Sequence, residues 1–260
     1  MRWSPNSTPR TTGFAAEVRM RHVIAAMLAG VAALPAAAQV QAGVELATDE
    51  RRRGISWSEG KAAPSAYARI DLPAGFDLGA RVLAIRGDAR HDGADGVIEP
   101  TLGYSRDLAG FRLDAFATGH FFTGARGNMN YGELGAGLNY SLGPAQAGVE
   151  ARYAPSQSAI GGDNLYLGVR GRVGIPATPW TVTGSAGRSS GSVDDAIRAA
   201  RLRPDGSYHD WSLGVQHITG PLTVALEYTG TDIRNGPDLS RFAVREHAGD
   251  RLAARISLGI

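Results

Sequence analysis

Charged side chains recur in this sequence inside apolar stretches, where alternate residues of an extended chain would carry them onto one face. Arg81, Glu99, Arg112, Asp114, Glu133, Glu150, Arg152, Arg170, Arg172, Glu227 and Arg255 each have at least one apolar neighbour in the chain. Arginines facing carboxylates across a pore create a transverse field that orients polar solutes and sets ion preference, so these eleven form a candidate pore lining. The same charges can instead pair across strands and fill a narrow lumen. The near balance of signs argues against strong anion or cation selectivity. Either use requires long strands that keep one face polar.

Such strands are legible between Tyr131 and Tyr153. Leu134, Ala136, Leu138 and Tyr140 alternate with Glu133, Gly135, Gly137 and Asn139, which gives a pleated strand one apolar face. Leu142, Gly143 and Pro144 then leave room only for a tight reversal. Ala147, Val149, Ala151 and Tyr153 resume the apolar face, opposite Gln146, Gly148, Glu150 and Arg152. The same pattern places further strands over 44–58 and 65–72 and continues to the last residue, for twelve in all. Their length, about 9 to 12 residues, suits a tilted bilayer crossing. Turns near 74, 108, 143, 177 and 220 are brief, whereas connections near 60, 91, 126, 158, 198 and 240 are extended. The segment VDDAIRAARLR, within 188–207, has room for one or two helical turns.

The fold class predicted is therefore all-β, a transmembrane up-and-down antiparallel β-barrel with short periplasmic turns and long external loops. Tyr104, Tyr131, Tyr140, Tyr153, Trp180 and Trp211 fall near strand ends, where an interfacial aromatic girdle sits. A secreted lipocalin-type barrel would alternate likewise, but it closes with fewer strands and turns its polar face outward.

The domain reading has three parts. Residues 1–19 are a polar extension that a mis-assigned start codon would explain. Residues 20–42 have the basic start, apolar run and small-residue ending of a secretory signal peptide, with Ala38 or Ala42 at the cut. Residues 43–260 form the barrel. The pI near 9.1 does not point to nucleic acid. Residues 1–42 hold Arg2, Arg10, Arg19 and Arg21 against Glu17, so of a net +2 the remainder carries −1. The absence of cysteine removes disulfides and thiolate metal sites.

Enzymatic constellations are not apparent. His91, His120, His209, His217 and His247 lack metal-ligand spacing and read as solvated loop or lumen positions, apart from His217 at the lipid interface. A serine acting with His120 or His209 would need a nucleophile elbow, and none is present. Asp88, Asp92 and Asp95 miss the spacing of a calcium loop and read as exposed. Gly135 to Gly137 and Gly161-Gly162 have no strand-to-helix context for a nucleotide loop.

Four segments carry a resemblance to a known family. They are Arg53 to Ser56 (RGIS), Asn130 to Pro144 (NYGELGAGLNYSLGP), Asp163 to Leu167 and Asp210 to Val215. In order and spacing the chain resembles the TorF-type porins, outer-membrane proteins first catalogued as conserved bacterial proteins of unknown function. The resemblance implies a signal peptide, a Gram-negative outer-membrane barrel and a pore, with no established substrate. The chain departs from the usual outer-membrane ending by finishing in Ile260 rather than an aromatic. The expected function is passive diffusion of small polar solutes, without enzymatic activity, cofactor or metal. Expected partners are outer-membrane lipid, the barrel-assembly machinery and periplasmic chaperones, and small polar solutes, but not nucleic acid. The alternatives are a non-conducting barrel whose loops at 188–207 and 231–250 bind partners, and an outer-membrane lipid-modifying enzyme.

Overall fold

The computed structural model describes residues 40–260 other than 235 and 239. The extension and most of the expected signal peptide lie outside the described residues; 40–42 open the first strand.

Strands form where the alternation was strongest and continue past it. In chain order they are β1 (Val40–Ala47), β2 (Arg51–Arg52), β3 (Ile55–Ser56), β4 (Ala63–Asp71), β5 (Phe76–Asp88), β6 (Ala94–Leu108) and β7 (Phe111–Thr123). There follow β8 (Tyr131–Leu142), β9 (Ala145–Gln157), β10 (Gly162–Gly174), β11 (Trp180–Ser190), β12 (Tyr208–Thr219), β13 (Leu222–Thr231) and β14 (Arg251–Gly259). All but β2 and β3 close into one antiparallel barrel of twelve strands. β1 pairs with both β4 and β14, so Val44 lies opposite Ala66 on one side and Leu258 on the other. The central hairpin is as the sequence predicts, with Leu142 opposite Ala145. Gly143 takes a φ of 55° there, open to a residue without a Cβ, and proline fixes the next torsion.

The large apolar side chains stand on the outer wall. Leu134 is 55% exposed, Val169 55% and Leu213 63%, as in a wall whose solvent is lipid rather than water. At the tight-turn end this belt is edged by cross-strand ring pairs. Phe76 meets Tyr104 at 5.1 Å, Phe111 meets Tyr140 at 4.9 Å, and Trp180 meets His217 edge-on at 4.7 Å. Tyr153, Trp211 and Tyr228 are exposed near the other end.

Three expectations need correction. The first strand does not run to residue 58; it stops at Ala47 and the chain turns into the lumen. The connections at 89–93 and 158–161 are short, because β5, β6, β9 and β10 carry the ladder beyond the bilayer, where apolar alternation is no longer required. Tyr131 is not a girdle residue but points inward, 7% exposed, with its ring 4.4 Å from His120.

The apolar contacts inside the barrel cluster at the long-loop end. Trp57 packs with Leu83, Ile85 and Val97, and Ile55 with Tyr208 and Ile233. The segment 191–207 includes the expected helical turn, Ala196–Ala199, whose first amides bond to Asp195.

Val169 lies near the middle of its strand on the lipid wall. Val169→Arg should destabilise the barrel in lipid vesicles by about 2–4 kcal/mol in a urea-unfolding measurement. Ser185→Arg, on the lumenal face beside Arg170, should cost much less.

Candidate functional site

The site is the lumen together with the 48–62 segment folded into it. Three consecutive arginines cannot alternate faces comfortably against lipid, and the inner wall offers them carboxylates. Arg53 and Gly54 both adopt positive φ, 50° and 74°, turning the chain between β2 and β3. Gly54 sits so close to β13 that a Cβ would lie 2.4 Å from the Thr231 methyl and 2.8 Å from the Gly230 carbonyl. A side chain at 54 would push the segment off the wall.

Each arginine of the run has a separate partner. Arg51 pairs with Asp49 at 3.0 Å and donates to the Gly249 carbonyl at 2.7 Å. Arg52 grips Glu99 through both terminal nitrogens, the Nη2 contact being 2.7 Å, and lies 4.1 Å over the Trp57 ring. Arg53 pairs with Glu133 and lies 4.6 Å over Tyr166. Glu50 in turn accepts from Arg81 at 2.8 Å and from Arg52 at 3.2 Å. Burial pushes the Glu50 carboxyl up, but Arg81 and Arg52 outweigh it and hold the group below the ordinary glutamate range.

All eleven residues of the expected lining project from the inner face. Arg81, Glu99, Glu133, Glu150, Arg152, Glu227 and Arg255 border one cavity of about 610 Å³ beside the 48–62 segment. Within it Arg152 pairs with Glu150 at 3.2 Å, and Arg255 approaches Glu45 at 3.6 Å. Arg170 and Arg172 line a second recess with Glu227, where Arg170 donates to Asn139 at 3.0 Å. Arg112 pairs with Asp114 at 3.0 Å near the tight-turn end, away from that cavity. Sequence reasoning missed Glu45, Glu50, Arg52, Arg53 and Arg201. The available signal was the poor alternation around the arginine run.

Above the cavity the outer connections are tied by arginines bonded to carbonyls. Arg90, 1% exposed, donates to Arg201 O and Val244 O, both at 2.8 Å. Arg203 donates to Gly191 O at 2.6 Å and Asp163 O at 3.1 Å.

The histidine and acidic readings change accordingly. His91 is not a solvated position: it is fully buried, its ring 4.5 Å from Phe122, and burial followed by nearby arginines pushes it well below the ordinary histidine range. Asp88 and Asp92 are buried rather than exposed, Asp88 against His91 and Asp92 3.8 Å from Arg241. His120 bonds Glu99 at 2.7 Å and exposed His209 bonds Asp232 at 2.8 Å; among the described residues neither bonds a serine. No group of three or more potential ligands among the described residues is arranged to hold a metal ion.

A closed barrel with an apolar outer wall, aromatic ring pairs at its rim and a charged lumen is an outer-membrane β-barrel of porin-like architecture. The chain belongs to the family described as a bacterial protein of unknown function (Gcw_chp), whose model matches residues 32–250. Among solved structures it is similar to the NanC porin, with 13% identity, a TM-score of 0.53, and coverage of 84% of this chain and 98% of that one. It is likewise similar to the KdgM porin, at 7% identity and a TM-score of 0.53, covering 84% and 97%. An outer membrane channel from Pseudomonas putida F1 matches at 13% identity and a TM-score of 0.50, covering 87% and 96%. At these identities the likeness is one of fold. No functionally curated protein sequence matches.

Because the folded Glu50 carboxyl lies below its unfolded value, its contribution to docking is present above about pH 4.3 and is lost as pH falls further. Hydrogen-exchange protection of 48–62, corrected for intrinsic rates, should hold from pH 8 to about 5 and decline progressively as pH falls below the ordinary glutamate range. Glu50→Gln should lower it across that whole range.

Proposed function

We propose that this chain is an outer-membrane porin of the TorF type, through which small polar solutes diffuse passively along a narrowed lumen. The observation that carries the reading is the cavity of about 610 Å³ inside a closed barrel, bounded by arginines and carboxylates rather than by a packed apolar core. A lining of both signs lowers the barrier for hydrophilic solutes, and no covalent step is required. The eleven lining residues would act by field and hydrogen bonding, with the 48–62 segment setting the width. Lipid surrounds the barrel, and assembly factors and chaperones would act only during biogenesis.

A second reading is a non-conducting barrel that presents its outer connections to a partner. What favours it is the cap tied by Arg90 and Arg203, which joins those connections into one surface. The enzyme reading lacks support of this kind, since no serine bonds His120 or His209 among the described residues.

Planar bilayers separate the first two. The purified protein should show discrete conductance steps, and replacing 50–57 with a short glycine-serine link should raise the step size severalfold. A folded barrel that stays silent in both forms would refute the channel.

A further inference from the structure

Eight arginines border the large cavity, and seven of them make ion pairs with carboxylates. Arg201 is the exception among the described residues. It descends from the 191–207 connection and is 1% exposed. Its Nη1 donates to the carbonyls of Met129 at 2.7 Å and Ala159 at 3.2 Å, while Nε and Nη2 have no partner. The guanidinium lies 4.5 Å over Phe122 and 5.3 Å over Tyr131.

A buried cation without its anion is an arrangement proteins avoid, because desolvation is left uncompensated. Burial lowers the Arg201 guanidinium to about 10, whereas glutamates hold Arg52 and Arg53 above the ordinary range despite their own burial. The unused atoms are not a random pair. The N–H bonds of Nε and Nη2 run parallel along one edge of the planar group, the fork that matches two carboxylate oxygens. On the same cavity wall His120 spends Nδ1 on Glu99 and leaves Nε2 unpartnered. The volume is in the range of about 300–1,000 Å³ found for small-molecule pockets, larger than a lone inorganic ion needs.

We propose that the lumenal cavity binds a small carboxylated polar solute, whose carboxylate displaces the packing over the Nε and Nη2 edge of Arg201, sealed from water in this structure, and pairs with it, while its hydroxylated body lies among the paired charges. This names a solute class for the lumen just described and so rests on the channel reading, but binding can be measured without conduction.

Calorimetric titration of the purified barrel in detergent, at fixed ionic strength, compares sodium gluconate with sorbitol, which keeps the hydroxyls and replaces the carboxylate with an alcohol. Gluconate should bind at least about tenfold more tightly, as a charge-assisted bidentate contact implies. Arg201→Gln should remove that advantage. Arg201→Lys, which keeps the charge without the fork, should lose most of it. Arg234→Gln, on the exposed rim, should change nothing. Heat-modifiable gel migration establishes closure of each variant, and if Arg201→Gln does not close, the lysine variant carries the decision. Equal affinity for gluconate and sorbitol, or unchanged gluconate binding in the Arg201 variants, overturns the site. Tighter binding of inorganic phosphate than of gluconate overturns the carboxylate assignment. Gluconate binding by a barrel that never conducts upholds the site and rejects the channel; conductance with no gluconate binding does the reverse.

Discussion

Lipid supplies no hydrogen-bond partners, and that single property forces the rest of this structure. Every backbone N–H and C=O at membrane depth must be met by another strand, so the sheet closes on itself. The seam shows the closure directly: Ala42 and Ile260 exchange bonds of 3.1 and 2.8 Å where β1 meets β14. Once the wall is closed, alternate side chains are divided between two solvents. Leu134, Val169 and Leu213 meet lipid, while Glu133, Arg170 and Ser212 are sent inward.

Sending charge inward creates a second problem, because a narrow lumen is a poor substitute for bulk water. Arginine and glutamate on neighbouring strands answer it in part by pairing, as Arg152 on β9 does with Glu133 on β8 at 3.5 Å. Glu99 and Glu133 are nearly sealed, at 6% and 3% exposure; Arg152 approaches one oxygen of Glu133, and Arg81, opposite Glu99, is drawn to Glu45 and Glu50 instead. The 48–62 segment brings Arg52 and Arg53 to them. Pairing of this kind does not guarantee net stability, since desolvation offsets much of the Coulombic gain. It does fix position: displacing the segment would leave buried carboxylates uncompensated, so one docked arrangement is strongly preferred.

Sequence made the wall legible and the interior much less so. Period-two alternation follows from the pleat alone, so β7 to β14 and their tight turns could be read strand by strand, and the inward side chains with them. At 44–58 the alternation failed, and the failure was informative: Arg51, Arg52 and Arg53 cannot share a lipid-facing strand. Their destination depends on contacts 47 and 80 residues away in the chain, with Glu99 and Glu133, which no local pattern encodes. Tyr131 is a different case: its type and place at a strand end suit a girdle, but the pleat itself puts it on the inner face, two residues before Glu133 and opposite His120. Strand ends beyond the bilayer were invisible for a related reason, since polar residues there satisfy both a loop and a ladder.

The two layers that narrow the lumen are held by different chemistry, and this decides how they respond. The inner segment is held by carboxylates, so lowering pH or raising salt weakens it at its contacts. The cap above is held largely by Arg90, Arg201 and Arg203 bonded to backbone carbonyls, acceptors that do not titrate. A carbonyl cannot neutralise a guanidinium. Charge balance in this layer comes instead from carboxylates set beside the arginines, Asp88 by Arg90, Asp163 by Arg203 and Asp205 between Arg234 and Arg245, so the carbonyl-bonded guanidiniums fix the geometry of the cap without making the mouth positive.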